Sequence, residues 1–163
     1  MDRLSSFRWR PTTTALLIGG FGLILVALVA SFVVANFKPT TTVHIGSGVY
    51  NLWLADTEPE RVTGLSGVES IAINGGMLFV FDSDNTWGIW MKDMKIPLDI
   101  IWLDAGKKVV YIRENVSPDT GVNVTYAPKT PSRYVLELKA GSVKKAGIKV
   151  GQTARFTVEG EPQ

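Results

Sequence analysis

Gly76-Met77-Leu78-Phe79-Val80-Phe81 is the stretch on which the fold class turns. Strand side chains alternate between faces, so Met77, Phe79 and Phe81 point one way while Leu78 and Val80 point the other. Both sets are apolar, which predicts a strand buried on both sides. The turn Asn74-Gly75-Gly76 leads into it. Working outward, residues 87–91 and 98–103 form two further apolar runs separated by residues 92–97, and Ala105-Gly106-Lys107 turns the chain into a run over 108–113. Residues 134–138 and 153–158 read as later strands. On the N-terminal side, Gly46-Ser47-Gly48 lies between β-prone runs at 43–45 and 49–54, a hairpin or bent-strand signal.

Helices are few and short. Thr57 can cap one over residues 58–65, with Pro59 tolerated in the first turn, Glu60 completing a partial capping box, and Gly64 or Gly67 as the stop. Ser142 caps a second single turn that ends at Gly147, with Ile148 as the C-cap contact. Residues 115–132 hold Pro118, Gly121, Pro128 and Pro131 and read as a long loop, a functional or mobile element in a compact domain. The expected fold is β-rich α+β: a compact, mostly antiparallel sheet or small barrel-like domain with two short helices.

Ahead of this domain lies a charge-free run, residues 15–37, interrupted only by Gly19, Gly20, Gly22, Ser31 and Asn36. About 20 apolar residues at 1.5 Å rise match a hydrocarbon core of roughly 30 Å, so the run predicts a transmembrane helix. Arg3, Arg8 and Arg10 precede it, which places the arm 1–14 in the cytoplasm and the domain outside. A cleaved secretory signal is the rival reading, because Val33-Val34-Ala35 offers a cleavage position; signal cores usually run only about 7–15 residues. Pro39 and three threonines make residues 38–42 a linker, residues 43–158 the exported domain and 159–163 a tail. The expected location is therefore the cell membrane, or secretion if the run is cleaved.

Beyond Phe37, 126 residues remain, a single-domain length. The 17 basic residues lose three to the arm and the 15 acidic ones lose Asp2, leaving the exported part neutral. Nucleic acid is not an expected partner, since that would need clustered uncompensated Lys and Arg. Zero cysteines exclude disulfides, thiol catalysis and thiolate metal sites, and a lone His44 argues against a multi-histidine zinc site. No cofactor or metal is expected. Asn115-Val116-Ser117 and Asn123-Val124-Thr125 are formal glycosylation sequons, compatible with an exposed, exported loop.

The densest mixture of apolar and ionic side chains runs from Trp90, Met91 and Lys92 to Asp99. In a strand from Leu98, Asp99 shares a face with Ile101 and Leu103, so an acid sits among apolar neighbours as a proton carrier or half of a structural ion pair. Arg133 and Glu137 lie four apart in the 134–138 strand region and face the same way. One polar cluster of Lys92, Asp99, Arg133 and Glu137 is the expectation. Trp87, Trp90 and Trp102 are candidates for a sugar- or lipid-binding groove or for the core.

Several blocks stand in a particular order: Arg61-x-x-Gly64-Leu65-Ser66, Gly76-Met77-Leu78-Phe79-Val80-Phe81, Trp90-Met91-Lys92, Ile96-Pro97-Leu98-Asp99-Ile100, Arg133-Tyr134-Val135-Leu136-Glu137 and Gly147-Ile148-x-x-Gly151. Together they resemble the domain of unknown function 192 family, over residues 50–156. The resemblance implies a compact β-rich prokaryotic domain, often exported, with no assigned reaction. Where that family usually has Asn-Thr after Trp-Met-Lys, this chain has Asp93-Met94, and Gln152 replaces a usual Asp.

The function expected from these readings is a membrane-anchored, outward-facing binding or accessory domain of the cell envelope, whose groove involves Trp90, Met91, Lys92, Asp99, Arg133 and Glu137. Its partners are the membrane, through residues 15–37, and an envelope ligand or protein. Two alternatives remain: an envelope hydrolase using Asp99 and Glu137 as paired carboxylates, and a protein-interaction module using the 115–132 loop.

Overall fold

The computed structural model describes residues 25–29 and 39–158. The chain divides into two units between Phe37 and Lys38. The expected span at 15–37 lies outside the described residues except for 25–29, which are helical and exposed. The arm 1–14 and tail 159–163 also lie outside them. Among the described residues no helix is long and apolar enough to cross a membrane.

The domain is a mixed six-stranded sheet built from β1 (Thr40–Ile45), β2 (Gly48–Ala55), β3 (Gly75–Asn85), β5 (Leu98–Leu103), β6 (Val109–Val116) and β8 (Ser132–Lys139), in the order β1-β2-β3-β8-β5-β6. A second ribbon pairs β4 (Ile89–Trp90) with β7 (Thr125–Tyr126). Every neighbouring pair in the large sheet is antiparallel except β2 and β3. Parallel strands need a crossover, and α1 (Glu58–Thr63) lies in it. The backbone amide and hydroxyl of Thr57 both donate to Oε2 of Glu60, at 3.0 and 2.7 Å, as the capping signal predicts. The last helix, α2 (Ser142–Ala146), stops at left-handed Gly147.

Both faces of the sheet are buried, as the residue 77–81 pattern requires. Leu78 belongs with Ile101, Leu136, Val143 and Ile148 to one core cluster, beneath α2 and the C-terminal segment. Met77, Phe79 and Phe81 belong with Leu65, Ile100 and Trp102 to the other, beneath the segment that follows α1. Burial of one such side chain is worth about 1.5–3 kcal/mol, so each cluster makes a large contribution to holding the sheet.

Five sequence expectations need correction. Residues 40–42, read as linker, already pair in β1, with Thr40 opposite Trp53. The barrel alternative does not close; instead, residues 151–157 touch both sheet edges through bridges His44↔Arg155 and Lys108↔Thr153. The 153–158 strand is thereby divided between two edges and reaches no ladder length on either. The 115–132 loop is shorter and more ordered than expected: residues 115 and 116 end β6, Pro118–Thr120 form a 3₁₀ turn, and β7 ties the remainder to β4. Gly141, not Ser142, occupies the N-cap of α2.

Candidate functional site

Glu137 sits in the middle of the sheet. Its register partners are Met77 on β3 and Ile100 on β5, both members of the core cluster on the α1 side. β3 approaches closely here, because a Cβ on Gly76 would stand 2.0 Å from the Glu137 carbonyl oxygen. Glu137 is buried, and its sealed Oε2 has no hydrogen-bond partner. Burial disfavours the charged form and pushes the acid up to about 8.

Above that carboxyl lies a cavity of about 380 Å³. Phe79 and Phe81 of β3 line it beside Glu137; Arg61, Gly64 and Leu65 enter from α1 and its C-cap; Trp87, Trp90 and Met94 come from the chain around β4. Phe81 stacks on Trp87 with ring centroids 4.2 Å apart and planes within 9°. The Arg61 guanidinium lies 5.4 Å from the Phe81 centroid. Nη1 of Arg61 donates to the carbonyls of Asp56 and Val80, the latter at 2.8 Å, and Nη2 lies 3.7 Å from Asp82. Arg61 is thus a cation fixed in the wall by backbone carbonyls. Glu137 is an acid held in an apolar wall with nothing to pair it.

Of the six expected site residues, the structure brings two to this cavity, Trp90 and Glu137. Met91 is buried in the same core cluster. Lys92 is exposed, and its carbonyl accepts from Ser66 Oγ at 2.9 Å. Arg133 faces Glu137's side of β8 but pairs with Asp84 at 2.6 Å. Asp99 lies on the opposite face: its register partner is Leu138, of the α2-side cluster. There Oδ1 accepts from the Asn115 amide and Oδ2 from the Val143 amide, both at 2.8 Å. The expected four-residue polar cluster therefore does not form.

The same geometry removes the paired-carboxylate hydrolase. Two acids that act on one bond must flank it from within a shared cleft, whereas the sheet itself separates Asp99 from Glu137. Among the three tryptophans, Trp87 and Trp90 line the cavity, but Trp102 is fully buried and donates to the Trp87 carbonyl at 2.8 Å. Among the described residues no group of three or more His, Asp or Glu could hold a metal ion.

Residues 41–156 match the model of DUF192, a family described as an uncharacterised ACR. The chain belongs to DUF192. It is 30% identical over 107 residues to a UPF0127 protein of Thermococcus gammatolerans, a match covering 64% of this chain and 65% of that relative's length. The fold is similar to a solved structure from Sinorhizobium meliloti described as a candidate transcription regulator (TM-score 0.69, 27% identity, 73% of this chain and 95% of that one). It is also similar to a protein of unknown function from Novosphingobium aromaticivorans (TM-score 0.66, 28% identity, 72% and 84%).

Of the three departures from the DUF192 pattern, the adjacent Asp93 and Met94 do different things. Asp93 stands at φ 54°, a left-handed conformation that Asn and Asp accommodate better than other non-glycine residues. An Asp in place of Asn preserves that turn. Met94 is buried and lines the cavity, so it adds apolar wall where a Thr is usual. Sequence reasoning passed over Arg61 as a site residue, although it opens the first block of the resemblance; its spacing to Leu65 was the available signal.

Proposed function

We propose that this protein is a binding module of the cell envelope that takes a small, largely apolar ligand into the cavity over Glu137. One observation carries the reading: a concave site with aromatic walls contains a single wholly buried carboxyl oxygen that the protein leaves unpartnered. Ligand sites combine mostly apolar lining with a few placed polar groups, and an orphaned buried acceptor costs about 1–3 kcal/mol that a ligand donor recovers. The anchor is the apolar run 15–37, with the arginine-bearing arm in the cytoplasm and the domain outside.

The test is a thermal-shift screen of the full chain against small aromatic and aliphatic compounds, run beside a Met94→Trp variant that fills the cavity. A ligand held at 100 times its Kd adds about 2.7 kcal/mol of stability. The expected result is a clear rise in Tm for the parent and none for the filled variant. A blank screen, or hits that ignore Met94→Trp, would reject the cavity as the site.

A further inference from the structure

We propose that the ligand is an organic cation, a primary amine carried on an apolar body, whose ammonium donates to Oε2 of Glu137. The inference rests on the binding reading above and names its chemical class. Once ionised, an unpartnered carboxyl oxygen in a wall calls for a donor, and no hydrogen bond from the protein reaches it. Arg61, the cation that lines the cavity, is committed to the carbonyls of Asp56 and Val80, to Asp82 and to the Phe81 ring. Lys92 and Arg133 lie outside the lining.

Charge and aromaticity point the same way. Around the cavity stand Glu58 and Arg61 from α1, Asp82 from β3 and Glu137 from β8, three carboxyls against one guanidinium. The register partners of Glu137 on β3 and β5, Met77 and Ile100, carry no charge. Phe79, Trp87 and Trp90 add aromatic residues to the lining, and aromatic rings attract a cation through their quadrupoles. A buried ion pair repays its desolvation only when further contacts satisfy the ions. Here the rings and the N–H to Oε2 bond provide them.

Binding carries a proton balance. The empty acid holds its proton at neutral pH, so an incoming ammonium keeps its own hydrogens, pairs with the carboxylate, and the displaced carboxyl proton goes to solvent. An alkylammonium stays charged up to about pH 10. Affinity for it therefore rises about tenfold per pH unit up to about 8 and levels off above. A neutral acceptor ligand would behave in the opposite way, binding the protonated acid and weakening above that pH.

Calorimetry of the full chain with 2-phenylethylamine, 2-phenylethanol and 3-phenylpropanoate at pH 6 to 9 separates these cases. The expected result is at least tenfold tighter binding of the amine than of the alcohol at pH 8, with close to one proton released at pH 7 in buffers of different ionisation enthalpy. Glu137→Gln removes both the preference and the proton release, so that amine and alcohol bind with similar affinity at every pH. Alcohol or carboxylate binding as tight as the amine, fading above pH 8, overturns the amine class and leaves the cavity reading standing. If none of the three binds, the amine class falls; if the Met94→Trp-sensitive screen is also blank, the binding reading falls with it.

Discussion

Asp99 and Glu137 occupy adjacent strands of one sheet, both are buried, and they face opposite cores. On the α2 side, each carboxyl oxygen of Asp99 accepts a backbone amide, from Asn115 and from Val143 near the start of α2. Asp99 thereby caps a helix from another element and holds Asn115 at its left-handed φ of 52°. Tyr50 completes that region: burial above all, with the nearby charge of Asp99, pushes its phenol up against the pull of a hydrogen bond with Ser142. On the α1 side, Glu137 has a free oxygen and an open volume above it. Burial alone does not distinguish the two acids. The difference lies in what the surrounding backbone donates, and it separates a residue that builds the fold from one left unpartnered beside a cavity.

The strongest test of this contrast is pH. The unfolded Glu137 carboxyl titrates near 4.5 and the folded one near 8. The sign follows directly: the folded state binds the proton more tightly, so its stability contribution is fully present below about 4.5 and is lost as pH rises through about 8. At 1.36 kcal/mol per unit the loss amounts to about 5 kcal/mol, a large share of a typical domain's stability. Urea denaturation of the full chain between pH 4.5 and 9 should show the decline, and Glu137→Gln should flatten it. An unchanged slope in that variant would assign the decline to other groups and erase the contrast.

Next in size is the loss of the Asp99 cap. Asp99→Ala leaves the buried Val143 amide and the part-buried Asn115 amide without acceptors, at up to about 1–3 kcal/mol each. The expected cost is about 3–5 kcal/mol, read as a fall in the urea midpoint, with ligand affinity at the opposite face unchanged in the protein that remains folded. A cost under about 1 kcal/mol would mean that water replaces both acceptors and that the α2 region is not closed. An equal loss of ligand affinity would mean that the two faces are coupled through β5 and β8.

Much of this was legible from residues alone, and the exceptions have physical causes. Residues 77–81 carry apolar side chains at every position and residues 98–103 at every position but Asp99, so two buried faces follow from the strand period without reference to any partner. Glu137 was legible as an acid in an apolar strand, and Trp90 as an aromatic beside ionic groups. The partners of Asp99 were not: its donors are backbone amides 16 and 44 residues away, and an amide has no residue-specific signature. Arg61 escaped for the same reason, since carbonyls of Asp56 and Val80 hold it. Residues 153–158 have strand composition, but composition does not say that the available edges lie at two different places, His44 and Lys108.

The smallest expected effect concerns Arg133, which shares a face with Glu137 and yet plays no part in its environment. β8 carries Arg133 near one end, where the side chain is 32% exposed and meets a 44% exposed Asp84. Water screens such a pair, and exposed pairs measure about 0.2–1 kcal/mol. A double-mutant cycle with Arg133→Ala and Asp84→Ala should give a coupling in that range that shrinks with added salt. Amine binding and the pH slope set by Glu137 should both persist in Arg133→Ala. A coupling above about 2 kcal/mol, or a shift in the Glu137 titration, would make Arg133 and Glu137 one electrostatic unit, the arrangement that their spacing in the strand first implied.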